Sequence, residues 1–270
     1  MSDSFDKNKA VVAALVVAAI VFLIFGPGSC GLASCGVAAD VPRNSYDWSR
    51  LETDGSIKTY TSATGEKSRL GIDVSYHDKS IDWEAVATTE VDFAYVRVGW
   101  RGYTEGSVHE DPLARENIEG AQAAGIECGV YFFSQAINED EAREEANFAC
   151  DFVDEYGLGT LPVVFDLEEN EISDERIAGM STRDFTNVAV AFCEQVKARG
   201  YTPMIYGNDG WLNGNFDLET IATRYQLWLA QYRSQPDPEY DFRIWQYTST
   251  AHIDGVETRC DLSLMLPSES

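Results

Sequence analysis

Positive charge is scarce in this chain. Twenty lysines and arginines stand against 45 aspartates and glutamates, for a formal net charge of −25. That balance excludes a general nucleic-acid binder, which must neutralise phosphates with cations. It equally disfavours electrostatic docking on anionic lipid or anionic polymers. Most of the acidity reads as a solvated surface. Histidine is rarer still: His77, His109 and His252 form no ligand pattern. The six cysteines follow no zinc spacing, so neither a metal nor a cofactor is expected. Cys128, Cys150, Cys193 and Cys260 are scattered among apolar segments and read as buried thiols. Cys150 with Cys193 could bridge neighbouring helices, but spacing alone does not fix a pairing. No internal repeat is present.

One long apolar run stands out, Ala10 to Phe25, preceded by Lys7 and Lys9. Its length is near the lower end for a membrane span, about 17–25 residues. The flanking lysines place its short N-terminal side in the cytoplasm and the rest outside. Three fates are open. The segment stays as an anchor, is cleaved at the small residues Val37-Ala38-Ala39, or is lipidated at Cys35 within Leu32-Ala33-Ser34-Cys35. The expected domains are a membrane anchor or signal segment at 1–32, a linker with a small β-hairpin at 33–69, and a barrel domain at 70–270. In the hairpin, Leu51-Glu52-Thr53 and Ile57-Lys58-Thr59-Tyr60 flank Asp54-Gly55, a type I′ turn signal.

From Leu70 onward, short apolar runs alternate with amphipathic segments, the pattern of β/α units around a parallel sheet. Eight strands are expected: Gly71–Val74, Phe93–Val98, Cys128–Phe133, Pro162–Leu167, Pro203–Tyr206, Leu227–Gln231, Arg243–Tyr247 and Thr258–Leu262. Helices separate the first five. One opens at Asp111-Pro112 and closes at Gly125; another carries a Ser181/Asp184 capping box and ends at Gly200. The last gaps are too short for crossover helices, so some of the final strands can pair antiparallel. The expected fold is a TIM-like, incomplete (β/α) barrel of five β/α units and three further strands.

In such a barrel, chemistry sits at the C-terminal strand ends. The fourth strand ends Pro162-Val163-Val164-Phe165-Asp166-Leu167-Glu168. Residues i and i+2 of a strand share a face, so Asp166 and Glu168 project together. Crowded carboxylates raise one another's pKa, which leaves one of them a usable acid at neutral pH. Asp73 ends the first strand and Asp261 lies on the eighth, its neighbour once the barrel closes. Aromatics gather at the same ends: Tyr131, Phe133, Tyr206, Trp228, Tyr232 and Trp245 are candidate sugar-stacking residues. Strand alternation allows half of them to be core filler.

These segments together resemble the family 25 glycoside hydrolases, the Chalaropsis-type lysozymes. The resemblance rests on Gly71-Ile72-Asp73-Val74-Ser75 with Ile81-Asp82-Trp83, Gly129-Val130-Tyr131-Phe132-Phe133, Asp166-Leu167-Glu168, Leu227-Trp228-Leu229-Ala230-Gln231-Tyr232 and Ile244-Trp245-Gln246-Tyr247. It runs from about Leu70 to Leu266. It implies cleavage of the β-1,4 bond between N-acetylmuramic acid and N-acetylglucosamine in peptidoglycan, outside the cytoplasm. It implies Glu168 as catalytic acid, Asp166 as its partner, and Asp73 and Asp261 as supporting carboxylates. Two departures stand out: Asp78 follows His77 where Gln is frequent, and Ser263 follows Leu262 where Asn is usual. Rival readings are a wall-tethered sugar-binding pseudoenzyme and a chitin-directed barrel glycosidase. The longer acidic run of the latter is replaced here by Val164 and Phe165.

Overall fold

The computed structural model describes residues 40–168 and 176–269. The apolar run at 10–25, the cleavage and lipidation motifs and the 1–32 segment lie outside the described residues. Among the described residues, no helix is long and apolar enough to cross a membrane.

Strands β1 (Leu51–Asp54) and β2 (Ile57–Tyr60) form the expected antiparallel hairpin. Its turn differs from expectation. Asp54 pairs with Ile57, so the loop is Gly55-Ser56, and of these only Gly55 has a positive φ, +60°. That is the type II′ pattern, with glycine first, rather than type I′. The chain continues through β3 (Arg69–Val74), α1 (Trp83–Val86), β4 (Val91–Arg101), β5 (Val108–Glu110), α2 (Ala114–Ala123), β6 (Glu127–Phe133) and α3 (Glu139–Tyr156). It ends through β7 (Val163–Asp166), α4 (Thr182–Ala198), β8 (Pro203–Asn208), α5 (Asp209–Asn215), α6 (Leu218–Ala222), β9 (Gln226–Ala230), β10 (Ile244–Ala251) and β11 (Cys260–Met265).

All eight expected barrel strands are present, and β3 pairs with both β4 and β11, so the sheet closes. What is reduced is the helical layer. The fifth unit carries only the short α5 and α6, and no described helix joins β9 to β10 or β10 to β11. In the barrel only β11 runs antiparallel to its neighbours, β10 and β3. The short connection before it forces that reversal. Short β5 pairs with the far end of β4 and adds an antiparallel strand beside the eight of the barrel.

Period-2 alternation sorts the side chains. Ile72, Val74, Val96, Val130, Phe165, Leu229 and Leu262 face the outer hydrophobic layer. Phe93, Tyr95, Val164, Met204, Trp228, Ile244 and Met265 fill the barrel interior. That apolar plug closes the barrel from below, so polar side chains collect only at the mouth. Cys128, Cys150, Cys193 and Cys260 are free and buried. Burial pushes the Cys128 and Cys150 thiols up to about 12, which makes them inert packing groups.

Local signals hold with one correction. Ser181 and Asp184 form the capping box of α4, and Asn138 caps α3 by accepting from the Glu141 N–H at 3.0 Å. Helix α2 begins at Ala114 rather than at Pro112. The Asp111 carboxylate is committed elsewhere: it accepts from Leu113 N–H, Tyr76 N–H and Arg97 Nε at 3.0, 3.1 and 2.9 Å. Pro112 therefore lies in a turn that precedes the helix.

Lys79 has φ 64° and ψ −158°, and among the described residues no other non-glycine has a positive φ. That region of backbone space is nearly restricted to glycine and costs other residues about 1–3 kcal/mol. Lys79→Gly is expected to stabilise the protein by about 1 kcal/mol, the strain relieved being partly offset by the greater freedom of glycine in the unfolded chain. Urea unfolding of the two proteins checks this.

Candidate active site

The end of β7 sets the site. Val163 and Phe165 point outward, so Val164 and Asp166 point inward, and Glu168 continues on the inner side beyond the strand. Asp166 is 6% exposed and Glu168 is half-buried. Across the barrel, Asp261 and Asp73 are direct partners in the β11–β3 pairing. The Asp73 carboxylate accepts both of its hydrogen bonds from the Gln246 amide, at 3.0 and 3.2 Å. The Gln246 oxygen in turn accepts from Tyr206 and Tyr232 hydroxyls at 2.9 and 3.0 Å. Asp78 is a fifth carboxylate of the group, fixed by Ser75 N–H at 2.9 Å and Thr258 Oγ1 at 3.2 Å.

These acids perturb one another. Burial pushes Glu168 up to about 7. Burial also raises Asp73 to about 7; Gln246 opposes the shift, while Asp78 and Glu168 add to it. Asp166 is raised well above the carboxylate range by burial, then by Glu168 and Asp73, against the pull of Arg97. Asp261 is raised by burial and by Asp73, Asp78 and Glu168. The cluster therefore holds protons near neutral pH, where isolated carboxylates hold none. Individual proton positions belong to the coupled set rather than to single residues. Among the described residues, no group of three or more His, Cys, Asp or Glu is arranged to hold a metal ion.

A buried lattice holds the backbone beneath the two β7 acids. Ser134 N–H donates to the Asp166 carbonyl at 2.6 Å, and Gln135 Nε2 donates to the Glu168 carbonyl at 3.3 Å. Ser134 Oγ donates to Glu145 at 2.6 Å, and Glu145 is paired with Arg101 at 2.6 Å; all three are buried. Arg176 donates to the Gln135 carbonyl at 3.0 Å and pairs with Glu141 at 2.7 Å. The second half of the Asp-x-Glu pair is thus positioned by the β6–α3 loop. Gln135→Ala is expected to lower kcat about tenfold with little loss of stability, since among the described residues the buried Gln135 Oε1 has no partner. Steady-state kinetics beside a thermal melt checks both parts.

The structure brings Asp73, Asp166, Glu168 and Asp261 together and divides the six candidate aromatics. Tyr131 and Tyr206 lie at the mouth, half-buried above the interior plug. Phe133 pairs across the sheet with Asp166, and its ring meets Tyr103 edge-on at 5.8 Å. Tyr232 is 54% exposed at the rim. Trp228 and Trp245 are placed elsewhere. Trp228 is a buried interior residue, packed on Tyr95 and Tyr206, with its Nε1 donating to Ser263 Oγ at 3.2 Å. Trp245 faces outward, packs on Trp48 and Tyr247, and donates to the Gln231 carbonyl at 2.8 Å. Neither offers a ring face to a ligand. Next to Trp245, Gln246 faces inward and was missed. The signal that could have found it is a lone amide inside an apolar strand, at the parity of Ile244.

An α/β barrel with an apolar plug and an acidic, proton-holding mouth sets the class: a barrel of the glycosidase type. The chain belongs to family 25 of the glycosyl hydrolases, whose sequence model matches residues 72–256. It is similar to Lysozyme M1 of Streptomyces globisporus, 30% identical over 205 residues, covering 71% of this chain and 65% of that protein. The bacterial lysozyme of Streptomyces coelicolor matches with a TM-score of 0.61 and 26% identity, over 74% of this chain and 92% of that one. The modular autolysin LytC of Streptococcus pneumoniae, solved with a synthetic peptidoglycan ligand, shares the fold. Its TM-score is 0.65 at 24% identity, over 79% of this chain and 51% of that one. The chain thus spans about half of the autolysin and somewhat under two thirds of Lysozyme M1.

Proposed function

We propose that this chain is a peptidoglycan hydrolase, a muramidase that cleaves the β-1,4 bond between N-acetylmuramic acid and N-acetylglucosamine. The observation that carries the reading is the acidic cluster at the mouth, with Glu168 pushed up to about 7 beside a more deeply buried Asp166. Glu168 gives its proton to the departing glycosidic oxygen. Asp166 orients the substrate's own 2-acetamido group and, in the state of the coupled set in which Glu168 holds the proton and Asp166 is ionised, stabilises the charge that develops on it. That group's oxygen attacks the anomeric carbon, in place of an enzyme nucleophile. Water then opens the cyclic intermediate while Glu168 takes back a proton. Asp73, held by Gln246, and Asp261 complete the coupled acidic set, and the negative charge that the set keeps favours the cationic character of the sugar in the transition state. Tyr131, Phe133, Tyr206 and Tyr232 line the path of the glycan.

The membership in a family with lysozyme relatives supports this substrate. The run at 10–25 supports an extracytoplasmic site of action, with the domain exported or tethered to the membrane. The test is digestion of purified peptidoglycan beside chitin. Muramic acid at the new reducing ends, with chitin cleaved far more slowly, is the expected result. Chitin cleaved faster, or binding without cleavage of either polymer, overturns the reading.

A further inference from the structure

Among the described residues, three large apolar or aromatic side chains are exposed: Tyr76, Ile137 and Tyr232. Each follows the C-terminal end of a barrel strand, β3, β6 or β9, so each lies on the same rim as the carboxylates. Tyr76 does not stand alone. Its ring lies 4.0 Å from His77 and 5.9 Å from Trp100, and Trp100 stacks on His109 at 5.2 Å. Four rings thus form one continuous row.

The row is built rather than incidental. Across β4 and β6, Arg97 pairs with Tyr131, yet Gly99 pairs with Phe132 and Trp100 with Phe133. The β-bulge at Val98 that produces this shift turns Arg97 and Trp100, three residues apart, to one face. The Arg97 guanidinium then lies under both rings, 5.0 Å from Tyr76 and 5.4 Å from Trp100. Asp111 holds Arg97 Nε at 2.9 Å and the Tyr76 N–H at 3.1 Å, so one buried carboxylate anchors the cation and the chain that carries the outer ring. The far end is fixed by the β4–β5 pairing of Trp100 with His109, and by Glu105 on His109 Nε2 at 3.0 Å. The rings are therefore pre-ordered, and stacking a ligand on them orders little that is not already ordered.

We propose that the row His77, Tyr76, Trp100 and His109 is a stacking subsite for a pyranose ring of the glycan strand, beyond the bond being cleaved. This rests on the muramidase reading above and deepens it. Trp100 pairs across the sheet with Phe133, and Phe133 with Asp166. Two strand spacings separate Trp100 from Asp166, roughly 10 Å. That is too far for contact with the reacting bond and is continuous with the site along the rim.

The test uses the full chain with Glu168→Gln as background, so that bound glycan is not consumed. The probes are N-acetylglucosamine oligomers of two to six units, with affinities measured by calorimetry. Tyr76→Ala and Trp100→Ala are each expected to weaken the six-unit oligomer about tenfold and the two-unit oligomer less than twofold, and Trp100→Phe to restore most of the loss. Equal losses at all lengths, or none at six units, overturn the subsite. Failure of the unsubstituted protein to cleave peptidoglycan would count against the muramidase reading alone, because the length dependence of binding needs no turnover.

Discussion

Glu168→Gln is expected to lower the turnover of purified peptidoglycan by about 10²–10⁴-fold, with little change in KM. The substitution keeps the shape of the side chain and removes the only proton it can give. The half-buried position of Glu168 at the end of β7 is what makes that proton available near neutral pH. The unsubstituted protein is expected to show the corresponding alkaline limb, with activity falling as pH rises through about 7, where Glu168 loses its proton. Release of reducing ends across pH 4–9 measures both effects. A variant within threefold of the parent, or a parent rate that rises through pH 8, is incompatible with Glu168 as the acid.

Asp166→Asn is expected to give the second large effect, about 10²–10³-fold in kcat, the scale of losing one pre-placed electrostatic partner of the transition state. It also has an effect on folding, of opposite sign. Burial, Glu168 and Asp73 raise Asp166, so the folded protein keeps a proton that the unfolded chain has released. The stability from that proton is complete below the ordinary aspartate range and is lost as pH rises through the raised value. Asparagine removes the loss. The variant is therefore expected to gain stability over the parent at pH 8 and to show no such gain at pH 3.5, as read by urea unfolding. A destabilised variant at pH 8 would show that ionised Asp166 is satisfied in place, whereas among the described residues its buried Oδ1 has no partner.

The shared placement of Asp166 and Glu168 was legible because it needs only strand parity. An apolar run ending in acids two residues apart puts Asp166 and Glu168 on one side wherever the strand lies. Asp73 and Asp261 needed one further step, closure of the barrel, which makes β3 and β11 neighbours and their acids direct partners. Parity does not say which face is inner. Trp245 and Gln246 are adjacent in sequence and opposite in space, and the bulkier residue was the wrong choice for the mouth. The Val98 bulge breaks parity inside β4, so the shared face of Arg97 and Trp100 exists only once β6 sets the register. The start of α2 was hidden for a different reason. Pro112 has the local chemistry of a first helical residue, but Asp111 before it serves Tyr76 and Arg97, distant partners that no local pattern reveals.

The proposed acid role depends on Glu168 carrying its hydrogen where ordinary carboxylates have lost theirs. Titration of the full-length protein by carbon-detected NMR, with the Glu168 side-chain signal assigned by comparison with Glu168→Gln, reads that directly. A midpoint near 7 is the expected result. A midpoint at about 4.3, the value of a free glutamate, would contradict it.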